Sequence, residues 1–206
     1  MDLIQSFFHT VYNVPELIRI VGQYGLPLII FAETGLLVGF FLPGDSLLIT
    51  AGLFAARGDL NIELLIAMLI PAAILGNATG YQIGKHTGKA LYNRPDSLLF
   101  KRKHLEMTHA YYERHGGKTI ILAQFAPILR TFAPVVAGVA EMGYRKFASY
   151  NVVGAVLWIA TMTLGGYLLC NVIPGIDKRI DLIVIIVIAV SLVPALIGWL
   201  RSRTAN

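Results

Sequence analysis

Two carboxylates and one guanidinium stand in stretches of this chain that are otherwise apolar. The segment ETGLLVGFFLPGDSLL, residues 33–48, carries Glu33 at one end and Asp45 toward the other. PILRTFAP, residues 127–134, carries Arg130 between two prolines. A charge at the centre of a bilayer costs about 2.5–3.5 kcal/mol even on insertion scales, and such residues mark functional paths. Removal from water penalises the charged form of a carboxyl, which suits a group that takes up and releases protons. For Arg130 two chemistries compete: counter-ion to a buried acid, or planar fork for a phosphate. The two roles can alternate in one cycle. Asp45 has a further use, because Asp45 or Ser46 is placed to cap a helix.

The elements that hold these residues belong to a membrane. Of 206 residues 56% are hydrophobic and only 14% are charged, whereas a soluble domain carries about 25% charged residues. Apolar runs near 26–56, 62–84, 119–140, 148–170 and 182–200 approach or reach the roughly 20 residues needed to cross a bilayer. Two of these runs are broken. Residues 24–34 make a half-length helix, and then Gly35, Gly39, Pro43 and Gly44 interrupt it before DSLLITAGLFAA resumes. Pro127 and Pro134 likewise bracket Arg130 between the short arms of residues 118–142. A straight helix tolerates neither pattern well, so each reads as a re-entrant hairpin whose tip reaches mid-membrane. Non-helical backbone at that depth must be buried in protein or line a wet cavity.

At an offset of 86, Ala51-Gly52 matches Ala137-Gly138 and Gly80-Tyr81 matches Gly166-Tyr167. Each half runs from broken hairpin to short polar link to long span. A hairpin returns to its own side and the following span crosses, so the halves face opposite ways, as in inverted-repeat transporters. The predicted fold is an all-α polytopic membrane protein: two re-entrant hairpins each followed by a transmembrane helix, plus a C-terminal transmembrane helix. As a single membrane domain it divides into an amphipathic N-terminal helix at 1–20, a first repeat at 24–84, a basic amphipathic linker at 85–117, a second repeat at 118–170 and a final span at 182–200. Gly76, Gly80 and Gly84 read as a close-packing stripe, with Asn77, Gln82 and Asn151 as polar contacts inside the bundle.

Charge orients the chain. Eight basic residues lie between Lys85 and Lys118, and Arg145, Lys146, Arg201 and Arg203 fall on the same side. That side is cytoplasmic by the positive-inside rule. The net charge of +5 then reflects topology and anionic lipid, with no nucleic-acid partner implied. The first 18 residues hold no Lys or Arg, so no cleavable signal is expected. Cys170 is the single cysteine and reads as a packing residue. HGGKT at 115–119 lacks the strand that a phosphate loop follows. His86, His104, His109 and His115 lack metal-site spacing, so neither metal nor cofactor is expected, and the chain reads as a non-enzyme.

FAETGLLVGFFLPGDSLLITAG, GNATGYQIGK, FAPILRTFAPVVAGVAEM and FASYNVVGAVLW together resemble the DedA family of bacterial inner-membrane proteins, from about residue 20 to 170. The resemblance implies a role in returning undecaprenyl phosphate across the membrane, with relatives elsewhere that scramble phospholipids, and dependence on the proton gradient. It places the family's membrane acids on Glu33 and Asp45. It also implies two arginines six apart in the second hairpin. The later is Arg130; at the earlier position this chain has Gln124, which donates hydrogen bonds but carries no charge. The expected partners are a lipid phosphate, protons and membrane lipids, with a homo-oligomer compatible with the pattern. The alternatives are a proton-coupled exchanger of small ions or cations and a general phospholipid scramblase. With Cys170 replaced, single reporters at Pro95 and Thr204 are expected in the cytoplasm and one at Gly175 outside; Pro95 and Gly175 on one side would overturn the inverted repeat.

Overall fold

The computed structural model describes residues 13–36, 43–92 and 117–172. Among them are six α-helices: α1 Val14–Gly35, α2 Gly44–Ala56, α3 Ile62–Tyr92, α4 Lys118–Ala123, α5 Pro127–Val139 and α6 Tyr144–Val172. The expectations for residues 1–12, for the hairpin tip at 37–42, for most of the linker and for the span at 182–200 lie outside the described residues. Three helices are long and apolar enough to cross a membrane, over Val14–Gly35, Ile62–Gly88 and Tyr144–Cys170. Two shorter apolar helices, Gly44–Ala56 and Leu129–Val139, are too short to span.

Local chemistry sets the breaks. Helix α1 starts ten residues earlier than the half-length arm expected at 24, but its path is interrupted at Gly22, whose φ of 60° and ψ of −171° lie outside the helical region. That conformation suits glycine because it has no Cβ. The second break falls at Gln124–Ala126, just before Pro127 rather than between the two prolines. Pro127 takes a first-turn position of α5, where its missing N–H costs no helical bond. Ala126 before it is extended, at φ −120° and ψ 112°, as a pre-proline residue prefers. Pro134 stays inside α5. Arg130 therefore sits on a helix, its N–H bonded to the carbonyl of Ala126 at 2.8 Å.

The chain divides into two compact units. The first takes residues 1–30, 41–72 and 157–206, and the second takes 31–40 and 73–156. In the first unit α2 packs on the later part of α6. A Cβ on Gly52 would collide with the carbonyl of Thr163, and one on Gly166 with the carbonyl of Ile49. In the second unit α5 packs on the later part of α3 by the same device. There Gly138 meets the carbonyl of Tyr81, and Gly84 meets that of Val135. Gly52 and Gly138, like Ile49 and Val135, are related by the offset of 86 residues. Their partner positions stand one helical turn short of it in both pairs. Small residues let backbones approach this closely, which is how helices associate where no hydrophobic force drives them together.

The core of the second unit is aromatic and small. Tyr81 stacks on Phe147 with ring centroids 4.6 Å apart and donates its hydroxyl to the carbonyl of Met142. Ala133, Ala137 and Ala140 of α5 and its C-cap pack there with Ile120, Ala123 and Met142. The adjacent glycines of α6 separate packing from composition. Gly166→Ala is expected to lower stability by about 1–3 kcal/mol through overpacking, whereas Gly165→Ala, with nothing within 4 Å of its Cβ position, should be neutral or stabilising. Thermal unfolding midpoints in detergent test this, and equal effects would refute the close α2–α6 contact.

Candidate functional site

Of the four residues singled out in the sequence, three meet in the second unit. Glu33 lies on the last turns of α1, where Gly35 of α1 and Gly76 of α3 allow the backbones to touch. A Cβ on Gly76 would overlap Thr34 Oγ1, and one on Gly35 would press on the carbonyl of Gly76. Arg130 projects from the first turns of α5. Its Nη2 donates to Glu33 Oε1 at 2.6 Å, with both side chains 2% exposed. Its Nη1 donates to the main-chain carbonyl of Gln124 at 3.1 Å. That carbonyl belongs to the irregular break between α4 and α5.

The break is thus a ligand for the guanidinium, and the reason is geometric. A carbonyl inside a continuous helix is consumed by the N–H four residues on. Stopping α4 at Ala123 lets the Gln124 carbonyl turn to Arg130. The contribution of Gln124 here is its backbone. Its side chain is buried, with Cγ 3.0 Å from the Cβ position of Gly154 on α6, and its Oε1 has no hydrogen-bond partner among the described residues.

A second polar layer crosses the same unit. Asn151 Nδ2 donates to the carbonyl of Ile74 at 3.1 Å, which turns its Oδ1 toward Asn77 Nδ2 at 2.8 Å. The main-chain bond fixes the orientation of both amides. It also aims Asn77 Oδ1 away, and this oxygen has no hydrogen-bond partner among the described residues. The sequence placed Asn77 and Asn151 inside the bundle, as they are. Gln82, grouped with them, is exposed instead.

Asp45 belongs to the first unit. It occupies the first turn of α2 behind Pro43, and Pro43 rather than Asp45 or Ser46 is the N-cap. The Ser46 hydroxyl donates back to the Pro43 carbonyl at 2.9 Å. Asp45 is nonetheless 5% exposed, and its Oδ1 accepts the indole N–H of Trp158 at 2.9 Å. Its negative charge also suits the positive end of the α2 dipole. The sequence reading missed Trp158. A tryptophan inside an apolar run carries a donor that must find an acceptor, and that was the available signal. Among the described residues, no group of three or more His, Cys, Asp or Glu side chains could hold a metal ion.

A family model described as the VTT domain matches residues 42–168. The chain is 44% identical to Protein DedA of Escherichia coli (strain K12) over 214 residues, covering 100% of this chain and 97% of that protein. An uncharacterized membrane protein of Mycobacterium tuberculosis (strain H37Rv) is 44% identical over 184 residues, 88% of this chain and 80% of its own. Inner membrane protein YghB of Escherichia coli (strain K12) is 33% identical over 152 residues, 74% of this chain and 69% of its own. No solved structure matches the chain.

The ion pair yields a stability prediction. Removing one member of a buried pair costs about 3–5 kcal/mol, while replacing both by apolar residues is often neutral. Glu33→Ala alone and Arg130→Ala alone are each expected to fall in that range, and Glu33→Leu with Arg130→Met to recover most of the loss. Denaturant midpoints of the purified proteins measure it; a double variant no more stable than the single ones would refute the pairing.

Proposed function

From the premise that this chain is a membrane protein of the VTT-domain family, to which DedA belongs, we propose that it translocates an anionic lipid carrier, undecaprenyl phosphate first, across the bacterial inner membrane with proton coupling. The observation that carries this reading is the buried pair of Arg130 and Glu33 at 2.6 Å. A guanidinium is the side chain best shaped to hold a phosphate, and here a carboxylate occupies it. Protonation of Glu33 removes the competing charge, and a phosphate headgroup then takes the fork. Loss of the proton restores the pair and expels the headgroup. The polyprenyl tail stays in lipid throughout, so only the headgroup needs a polar path.

In this reading the part of α1 from residue 24 with α2, and α4 with α5, are the arms of two re-entrant hairpins in an inverted repeat, and the basic linker and C-terminus are cytoplasmic. The main-chain carbonyl of Gln124 steadies Arg130, and its side-chain amide adds a donor to the bound phosphate. Asp45 is the second proton-coupling acid. A proton-coupled exchanger of small ions would use the same acids without needing the fork, and a scramblase would move phospholipids regardless of proton gradient.

The test is headgroup accessibility of undecaprenyl phosphate in proteoliposomes with an imposed pH gradient. Translocation is expected with the protein and not without it. Arg130→Lys should lose about tenfold or more despite keeping its charge, because an ammonium does not reproduce the fork. Gln124→Arg should strengthen binding, and Glu33→Gln should abolish the response to the gradient. Full activity of Arg130→Lys would favour the exchanger, and transport of every phospholipid without a gradient would favour the scramblase.

A further inference from the structure

Asp45 and Trp158 form a contact that the phosphate chemistry of Arg130 does not use. Trp158 is 0% exposed and Asp45 5%, and the indole Nε1 donates to the carboxyl Oδ1 at 2.9 Å. The contact ties α2 to α6 on the same two helices that meet at Gly52 and Gly166. Asp45, Ile49 and Gly52 follow the i, i+4, i+7 spacing of one helix face. On α6, Trp158 lies two turns before Gly166. The indole thus adds a polar side-chain contact to a seam where Gly52 and Gly166 bring the backbones together.

An indole N–H is a donor only, so its bond responds to the charge of its acceptor. Bonds to an ionised carboxyl are roughly twice as strong as bonds to a neutral one. Neither α2 nor α6 from Phe147 to Val172 carries another charged residue. The remaining charged groups described in this unit are Glu16 and Arg19 on α1, Arg57 and Asp59 after α2, and Glu63 on α3. Arg57 pairs with Asp59 at 3.4 Å, and Arg19 and Arg57 lie over the ring of Phe54. Phe54 is nine residues from Asp45, about 13 Å along the helix. Glu16 accepts from Asn13, and Glu63 is exposed.

We propose that Trp158 is the positioning residue of Asp45: the indole N–H holds the carboxyl at the α2–α6 seam, and the bond strengthens and weakens as Asp45 loses and gains its proton. Proton occupancy at Asp45 is thereby converted into a change in how firmly the start of α2 is tied to α6. The proposal rests on the reading of Asp45 as a proton-coupling group.

The experiment uses the full chain in lipid nanodiscs with Trp199→Phe, which leaves Trp158 as the sole tryptophan. The ultraviolet resonance Raman band sensitive to indole N–H bonding is followed against pH. It is expected to titrate when Asp45 is present, to hold still in Asp45→Asn, whose amide oxygen keeps an acceptor but no charge, and to move to the weakly bonded position in Asp45→Leu. The transport arm adds Trp158→Phe, which should move the midpoint of pH-dependent translocation and cause no further change when combined with Asp45→Asn. An unchanged band in Asp45→Leu overturns the proposal, as does a Trp158→Phe protein with reduced amplitude but an unmoved midpoint. If Trp158→Phe does not fold, the Raman comparison among the Asp45 variants decides. Proton dependence left wholly unaltered by Asp45→Asn would overturn the transport reading of Asp45, while the Raman response separately upholds or overturns its tracking by Trp158.

Discussion

Arg130 and Glu33 are as buried as the aliphatic residues around them, and their charges meet at 2.6 Å. In an apolar surround neither ion is tolerable alone. The penalty for removing each from water amounts to several kcal/mol, and only close geometry and further hydrogen bonds offset it. That requirement reaches outward into the backbone. The end of α1 must approach α3 closely enough to present Glu33, which Gly35 and Gly76 allow. The chain must break between α4 and α5 so that a main-chain carbonyl is available to the guanidinium. Pro127 makes that break inexpensive by starting α5 without a lost bond.

The two packing seams share a design and differ in chemistry. Gly52 and Gly138 occupy related positions and both press on a carbonyl of the neighbouring helix. At the same offset of 86, however, Asp45 corresponds to Thr131 and Arg130 to Gly44. The backbone arrangement is repeated, while each charge appears in one copy. Hydrogen bonding follows the same division: an indole serves the acid of the first seam, and a carboxylate serves the arginine of the second. A duplicated frame with unlike charges gives two buried polar contacts with different partners.

The amino-acid sequence by itself determined what is set by solvent and by local sterics. Apolar runs with few charges must be helices in lipid, because each backbone group has to be satisfied within its own segment. Glycine and proline clusters fix roughly where those helices break, and intramembrane charges identify Glu33, Asp45 and Arg130 because their cost is intrinsic. Asn77 and Asn151 were also legible, since a buried amide in such a run needs an inward partner. The tertiary structure decided everything that depends on direction. Whether Pro127 or Pro134 breaks the chain depends on which one falls at a helix start, and composition does not encode that. Pairing Arg130 with Glu33, seating Asp45 against Trp158 rather than leaving it as a cap, and using the carbonyl of Gln124 in place of its side chain are choices among partners 97, 113 and six residues apart. Helix packing angles and one-turn shifts select those partners, and these arise only when all the helices are assembled.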